Sequence, residues 1–145
     1  MKVRIGGPGI LFLCVLVGTG IVIGGVLISR SRVTHDLHGT LTLQSEDVAS
    51  AYKSPPGSRC SGAGGFSDLD IGAGVTVTDQ AGRIVGTSSI SSSSKGDPKT
   101  CTFTFDVPGV PNRSFYKVEV SHRGGITYSY NQLQTAGWSI ATTIG

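Results

Sequence analysis

Residues 74–90 read GVTVTDQAGRIVGTSSI. Val75 and Val77 alternate with Thr76 and Thr78, the period of a strand with one face buried and the other in water. The pattern is interrupted at Asp79-Gln80-Ala81-Gly82, a connector with glycine at its end, and a second strand-like run follows in 83–90. Two such runs joined by so short a link predict an antiparallel hairpin.

The same period recurs outward from this hairpin. In LHGTLTL (37–43) Leu37, Leu41 and Leu43 oppose His38, Thr40 and Thr42, and VASAYK (48–53) extends or pairs with that strand. In TCTFTFDV (100–107) Cys101, Phe103, Phe105 and Val107 share one face. In SFYKVEVSHR (114–123) Tyr116, Val118 and Val120 point inward, and in WSIATTI (138–144) Trp138, Ile140 and Ile144 complete the sheet. Between these runs, Pro55, Pro56 and Gly57 break the chain, Pro108 and Pro111 are expected to force a loop, and Gly124-Gly125 permits a reversal. SSSSKGDPK (91–99) has no apolar side chain to bury and is expected to be a mobile loop. Ser129 and Gln132 have capping-box spacing and Gly137 can end the turn, which predicts a short helix there.

Six or seven strands with hairpin and proline-rich connections bury their apolar faces by stacking two sheets. The expected fold is all-β, a two-sheet sandwich with a short helical turn near the C-terminus. Composition agrees: 22 glycines and 14% charged residues in 145 suit short strands and turns. This length accommodates one domain and an appendage.

The appendage is N-terminal. Residues 10–28, ILFLCVLVGTGIVIGGVLI, carry no charge, and as a helix they would extend roughly 28 Å, close to the thickness of bilayer hydrocarbon. Apolar residues fall on every side, which does not suit a helix packed against a small sheet. Residues 1–32 are therefore expected to form a transmembrane helix with basic flanks, 33–36 a juxtamembrane connection, and 37–145 the β domain. A cleaved signal peptide begins in the same way, but the run is longer than a signal core and 29–32 offers no A-x-A-like site, which favours a retained signal-anchor. Leu13 is too bulky for lipoprotein processing at Cys14. Gly20 and Gly24 make a G-x-x-x-G step, and Gly18 and Gly25 stand seven residues apart. Such small positions let a second helix approach, from another copy or from an integral membrane partner.

Twelve Lys and Arg oppose nine Asp and Glu, but Lys2, Arg4, Arg30 and Arg32 flank the apolar run, so the body is near neutral. It lacks the basic clusters that grip a phosphate backbone, and nucleic acid is not an expected partner. The flanking charges nearly balance, with a slight bias toward a cytoplasmic N-terminus. Cys60 and Cys101 are the two cysteines of the body, and a pair in a small exported domain is most simply a disulfide. The domain is then expected on the extracytoplasmic side of the cell membrane.

Candidate chemistry is sparse. CSGAGGFSDLD (60–70) has the glycines of a phosphate loop, but it follows a proline-rich break, leads into a strand and lacks the third glycine of the fingerprint. Asp68 and Asp70 offer two oxygens where calcium wants six to eight. A disulfide-pinned loop, bent by its glycines over Phe66 or Leu69, is the simpler reading. His35 and His38 would face opposite sides of a strand without a third soft ligand. Ser121, His122 and Arg123, adjacent on a strand, cannot converge as nucleophile and base. No metal, cofactor or catalysis is expected. Trp138, Tyr116, Tyr128 and Tyr130 offer aromatic faces with polar edges. Candidates for ligand or partner contact are Tyr128, Tyr130 and Arg123, the last either solvated or paired with an acidic loop residue.

The succession VTVTDQAGRIVGTSSI, a loop, then FTFDVPGVPNRSFYKVEV resembles the prealbumin-like β-sandwiches of carboxypeptidase regulatory domains and bacterial surface proteins, over about residues 73–120. The wider arrangement, with CSGAGGFSDLDIGAGVTVTD before the hairpin and YKVEVSHRGGITYS after it, is similar to small membrane-anchored envelope proteins of actinobacteria. That group has no established catalytic residues. The resemblance implies a prealbumin/Ig-like sandwich serving as a structural or interaction module, with a cell-wall component as a further possible partner; the cysteine pair and SHRGG depart from its generic pattern.

Overall fold

The computed structural model describes residues 33–49, 55–96 and 99–145. The chain separates into two units, Met1–Ser31 and Arg32–Gly145. The expected membrane span, with Gly18, Gly20, Gly24 and Gly25, lies outside the described residues. Among the described residues no helix is long and apolar enough to cross a membrane.

The elements in chain order are β1 (Thr34–Gln44), β2 (Val48–Ala49), β3 (Ser61–Gly62), a 3-10 turn (Gly64–Phe66), β4 (Gly74–Asp79), β5 (Ile84–Lys95), β6 (Thr100–Pro111), β7 (Phe115–Val120), β8 (Gly125–Ser129), α1 (Tyr130–Thr135) and β9 (Ser139–Ile144). Seven strands form one curled sheet in the order β8-β7-β4-β5-β6-β1-β9, and β2-β3 form a small second sheet. β9 runs parallel to β1, whereas β1 and β6 are antiparallel.

The expected hairpin is β4-β5, paired from Gly74↔Ser89 to Thr78↔Ile84. β5 then changes partner: from Ile90↔Phe105 to Lys95↔Cys101 it pairs with β6, with a register shift between Ile90 and Ser92. A strand that switches neighbours at such an irregularity lets a sheet turn a corner, and the result is sandwich-like. Leu37, Leu41, Phe103 and Phe105 from one half join Val75, Val77, Tyr116 and Val118 from the other in one core cluster. Full burial of an aliphatic or phenyl side chain here contributes roughly 1.5–3 kcal/mol. Gly39 sits in mid-strand opposite Phe105 because the phenyl ring occupies its side-chain space: a Cβ would lie 2.0 Å from Phe105 Cζ.

Three expectations are corrected. Ser91 to Lys95 belong to β5 rather than to a mobile loop. Ladder pairing with β6 orders them, and the Ser93 hydroxyl donates to the Cys60 carbonyl at 2.7 Å and accepts from its N–H at 3.3 Å. Pro108 does not interrupt β6, whose last residue is Pro111. Pro108 falls in a bulge between Leu37↔Val107 and His35↔Val110, where Gly109 at φ +70° donates its N–H to Asp36 Oδ1 at 2.9 Å. A bulge tolerates a residue without an N–H. Val48 and Ala49 pair with Ser61 and Gly62 rather than with β1.

Candidate functional site

The alternation of Val75 and Val77 carries Asp79 inward at the end of β4, and its carboxylate is fully enclosed (0% exposed). Oδ1 accepts from the N–H groups of Ala81 (2.9 Å) and Arg83 (3.1 Å), which shapes the hairpin connector. Oδ2 accepts from Arg83 Nε at 3.0 Å and Arg113 Nε at 3.2 Å. Burial alone would raise this carboxyl, but the Arg83 side chain and the backbone N–H groups of Arg83 and Ala81 outweigh it and hold it at about 2. The ionised group thus ties the hairpin to the β6–β7 connection.

Tyr116 fixes that connection from the core side. Its hydroxyl donates to the Pro111 carbonyl at 3.1 Å and accepts from the Arg113 N–H at 2.7 Å, and burial pushes its pKa up. Arg113 is therefore held by main chain and side chain together. Trp138, buried beyond the end of α1, packs edge-on to Tyr116 (5.5 Å) and Tyr130 (5.9 Å) and stacks on His35 at 4.0 Å. Its backbone has φ +58°, a conformation that costs a side-chain-bearing residue roughly 1–2 kcal/mol. Its N–H donates to the Leu133 carbonyl at 2.8 Å and its own carbonyl accepts from His38 N–H at 2.8 Å. The His35 ring is joined to Asn112 Oδ1 through Nε2 at 2.8 Å.

This framework presents Phe115, the first residue of β7, with 49% of its surface exposed. Two open grooves meet at its ring. One, of about 650 Å³, is lined by Asn112, Arg113, Ser114, Ser129, Tyr130 and Asn131. The other, of about 420 Å³, is lined by Thr78, Gln80, Lys117 and Thr127 above Asp79 and Tyr116. The surface combines hydroxyls, amides and one apolar ring face with the side chains of Arg113 and Lys117.

The sequence-derived candidates fall in different places. Tyr130 lies in the aromatic cluster and lines the larger groove. Tyr128 faces Tyr116 across β7-β8, packs against the core and has its hydroxyl pKa raised by burial. Arg123 is engaged within the chain: its Nε bonds Asp68 Oδ2 at 3.0 Å and its guanidinium lies 4.6 Å over the Phe66 ring. The Arg123 hydrogen bond is the chief cause that lowers Asp68 to about 2. Asp70 pairs with Arg59 at 3.1 Å. Both carboxylates of the 60–70 loop thus have arginine partners.

Leu69 is buried beneath the loop, and Cys60 and Cys101 form a disulfide that fastens it to β6. Gly62 cannot carry a side chain, since a Cβ would lie 1.9 Å from the Phe66 carbonyl oxygen. His38 bonds Asp106 while His35 stacks on Trp138, so the two histidines do not converge. Among the described residues no three His, Cys, Asp or Glu side chains are grouped to hold a metal. Ser121 and His122 lie in the β7–β8 turn with His122 exposed.

Sequence reasoning missed Asp79, Arg113 and Phe115. The signal for Asp79 was present, because the period of GVTVTD places it on the buried face. The same signal was present for Phe115, which the inward Tyr116, Val118 and Val120 set on the outer face; Arg113 carries none, since its role depends on the chain path after β6. Comparison with family models, curated proteins and solved structures finds no match to this chain.

Proposed function

We propose that the chain is a single-pass membrane protein that presents a disulfide-stapled, prealbumin-like β-sandwich to the extracytoplasmic space. It acts there without catalysis, as an accessory or structural subunit of an envelope or membrane complex. The observation that carries this reading is the Cys60–Cys101 bond, because such bonds persist in oxidising compartments. The uncharged run at 10–28 supports the anchor, and the β4-β5 hairpin beside a Phe-x-Phe strand supports the prealbumin-like assignment. Tethering raises the domain's effective concentration near a membrane partner, so weak contacts suffice. Crosslinking in native membranes followed by purification in mild detergent tests the proposal. A reproducible integral membrane neighbour, or a second copy, is expected; recovery of the chain without one contradicts it.

The surface around Phe115 favours a second reading, an envelope protein that recognises cell-wall glycan or lipid. Retention of the chain on purified wall material separates the two, since an assembly subunit has no need of such binding.

A further inference from the structure

We infer that the Phe115 surface binds an uncharged saccharide strand, one sugar ring lying on the phenyl face and its neighbours entering the two grooves. This inference rests on the second reading above and assigns it a site and a ligand class.

The phenyl ring is half exposed, on a stretch of backbone that is held in place. Phe115 is 49% exposed, while Tyr116 next to it is fully buried and holds the 111–113 backbone through its hydroxyl. The backbone that leads into the ring is therefore ordered before a ligand arrives. An aromatic face is a flat apolar platform, and the C–H face of a sugar ring covers it while the hydroxyls stay at the rim.

That rim includes groups that donate and accept alike: Ser114 and Asn131 on one side, Thr78, Gln80 and Thr127 on the other. They match hydroxyls. A phosphate or an anionic headgroup is held best by cations without a carboxylate of their own, and each cation of this surface has one beside it. Arg83 and Arg113 bond Asp79, and Lys117 Nζ lies 3.6 Å from Glu119.

The placement of the grooves argues for a strand rather than a single sugar. Ser129, paired with Phe115, and Asn131 beyond it line the larger groove, whereas Thr127, paired with Lys117 further along the sheet, lines the smaller. The grooves therefore lie on opposite sides of the Phe115 row. Both are open to solvent, so a ligand would lie along the surface rather than be enclosed. A ligand of one ring would leave a groove in water.

The test uses the full chain in mild detergent, passed over immobilised cell-wall glycan strands stripped of peptide. The expected result is retention that resists added salt and is competed by soluble N-acetylglucosamine oligosaccharides. Phe115→Ala is expected to weaken retention about tenfold while the chain stays folded, its melting temperature lowered only by the loss of the half-buried ring. Ile84→Ala, at a position 65% exposed but lining neither groove, is expected to leave it unchanged. Retention of Phe115→Ala equal to the parent would overturn this site and leave the ligand-binding reading standing. Absence of binding to any wall fraction by the parent chain would overturn both. Binding that needs the wall peptide, or that is lost in raised salt, would contradict the uncharged saccharide.

Discussion

Two carboxylate–arginine sites in the β domain share a chemistry and differ in setting. Asp68 meets Arg123 where their side chains are 34% and 26% exposed, whereas Asp79 meets Arg83 and Arg113 with its carboxylate fully enclosed. Both carboxyls are held at about 2. Water competes for the first pair, so the 60–70 loop relies on the disulfide and Leu69 for its place. It has no access to the carboxylate of the second, and removing Asp79 would leave backbone N–H groups and two guanidiniums without their acceptor.

The largest expected effect probes the first region. Replacing Cys60 and Cys101 by Ala should lower unfolding free energy by about 4 kcal/mol, the chain-entropy value for a loop of roughly forty residues. Denaturant titration reads it, and an unchanged midpoint would mean that non-covalent contacts alone hold the loop. Within the ion pairs the ranking follows burial: Asp79→Asn should depress the melting temperature more than Asp68→Asn, and the reverse order would break the comparison. Tyr116→Phe should cost about 1–3 kcal/mol, because the Pro111 carbonyl and Arg113 N–H lose a buried partner. Ser129→Ala, which removes the α1 cap, should cost about 1 kcal/mol.

Acid sharpens the contrast. Both aspartates have folded-state values below their ordinary 3.8, so their stabilisation is complete above that value and is lost as pH falls toward about 2. A stability profile across this window should lose part of its slope in either Asn variant. Added salt should weaken the Asp68 contribution and spare that of Asp79.

Much of this was legible where one residue reports one face. Leu37, Val75, Phe103 and Val118 announce their strands by alternation, and Ser129 with Gln132 announces α1, whose capping box is formed in both directions. The serines of β5 were illegible because their order comes from a neighbouring ladder and from the Cys60 backbone rather than from burial of their own side chains. Pro108 misled because a bulge removes the cost of its missing N–H. The binding surface was sought at the tyrosines, yet Tyr128 packs inward and Phe115 faces out. The alternation of Tyr116, Val118 and Val120 already turned Phe115 outward, but it does not show which other side chains the fold gathers around that ring.

The most direct test of the central claim is the redox state of Cys60 and Cys101 in the cell that makes the protein. Cells are quenched in acid and denatured in excess of one alkylating reagent, the sample is reduced and labelled with a second, and the two cysteine peptides are quantified; denaturation is needed because both sulfurs are buried. The account expects Cys60 and Cys101 to carry only the second label, as a disulfide does. Two sulfurs carrying the first label would be free thiols in the cell and would contradict it.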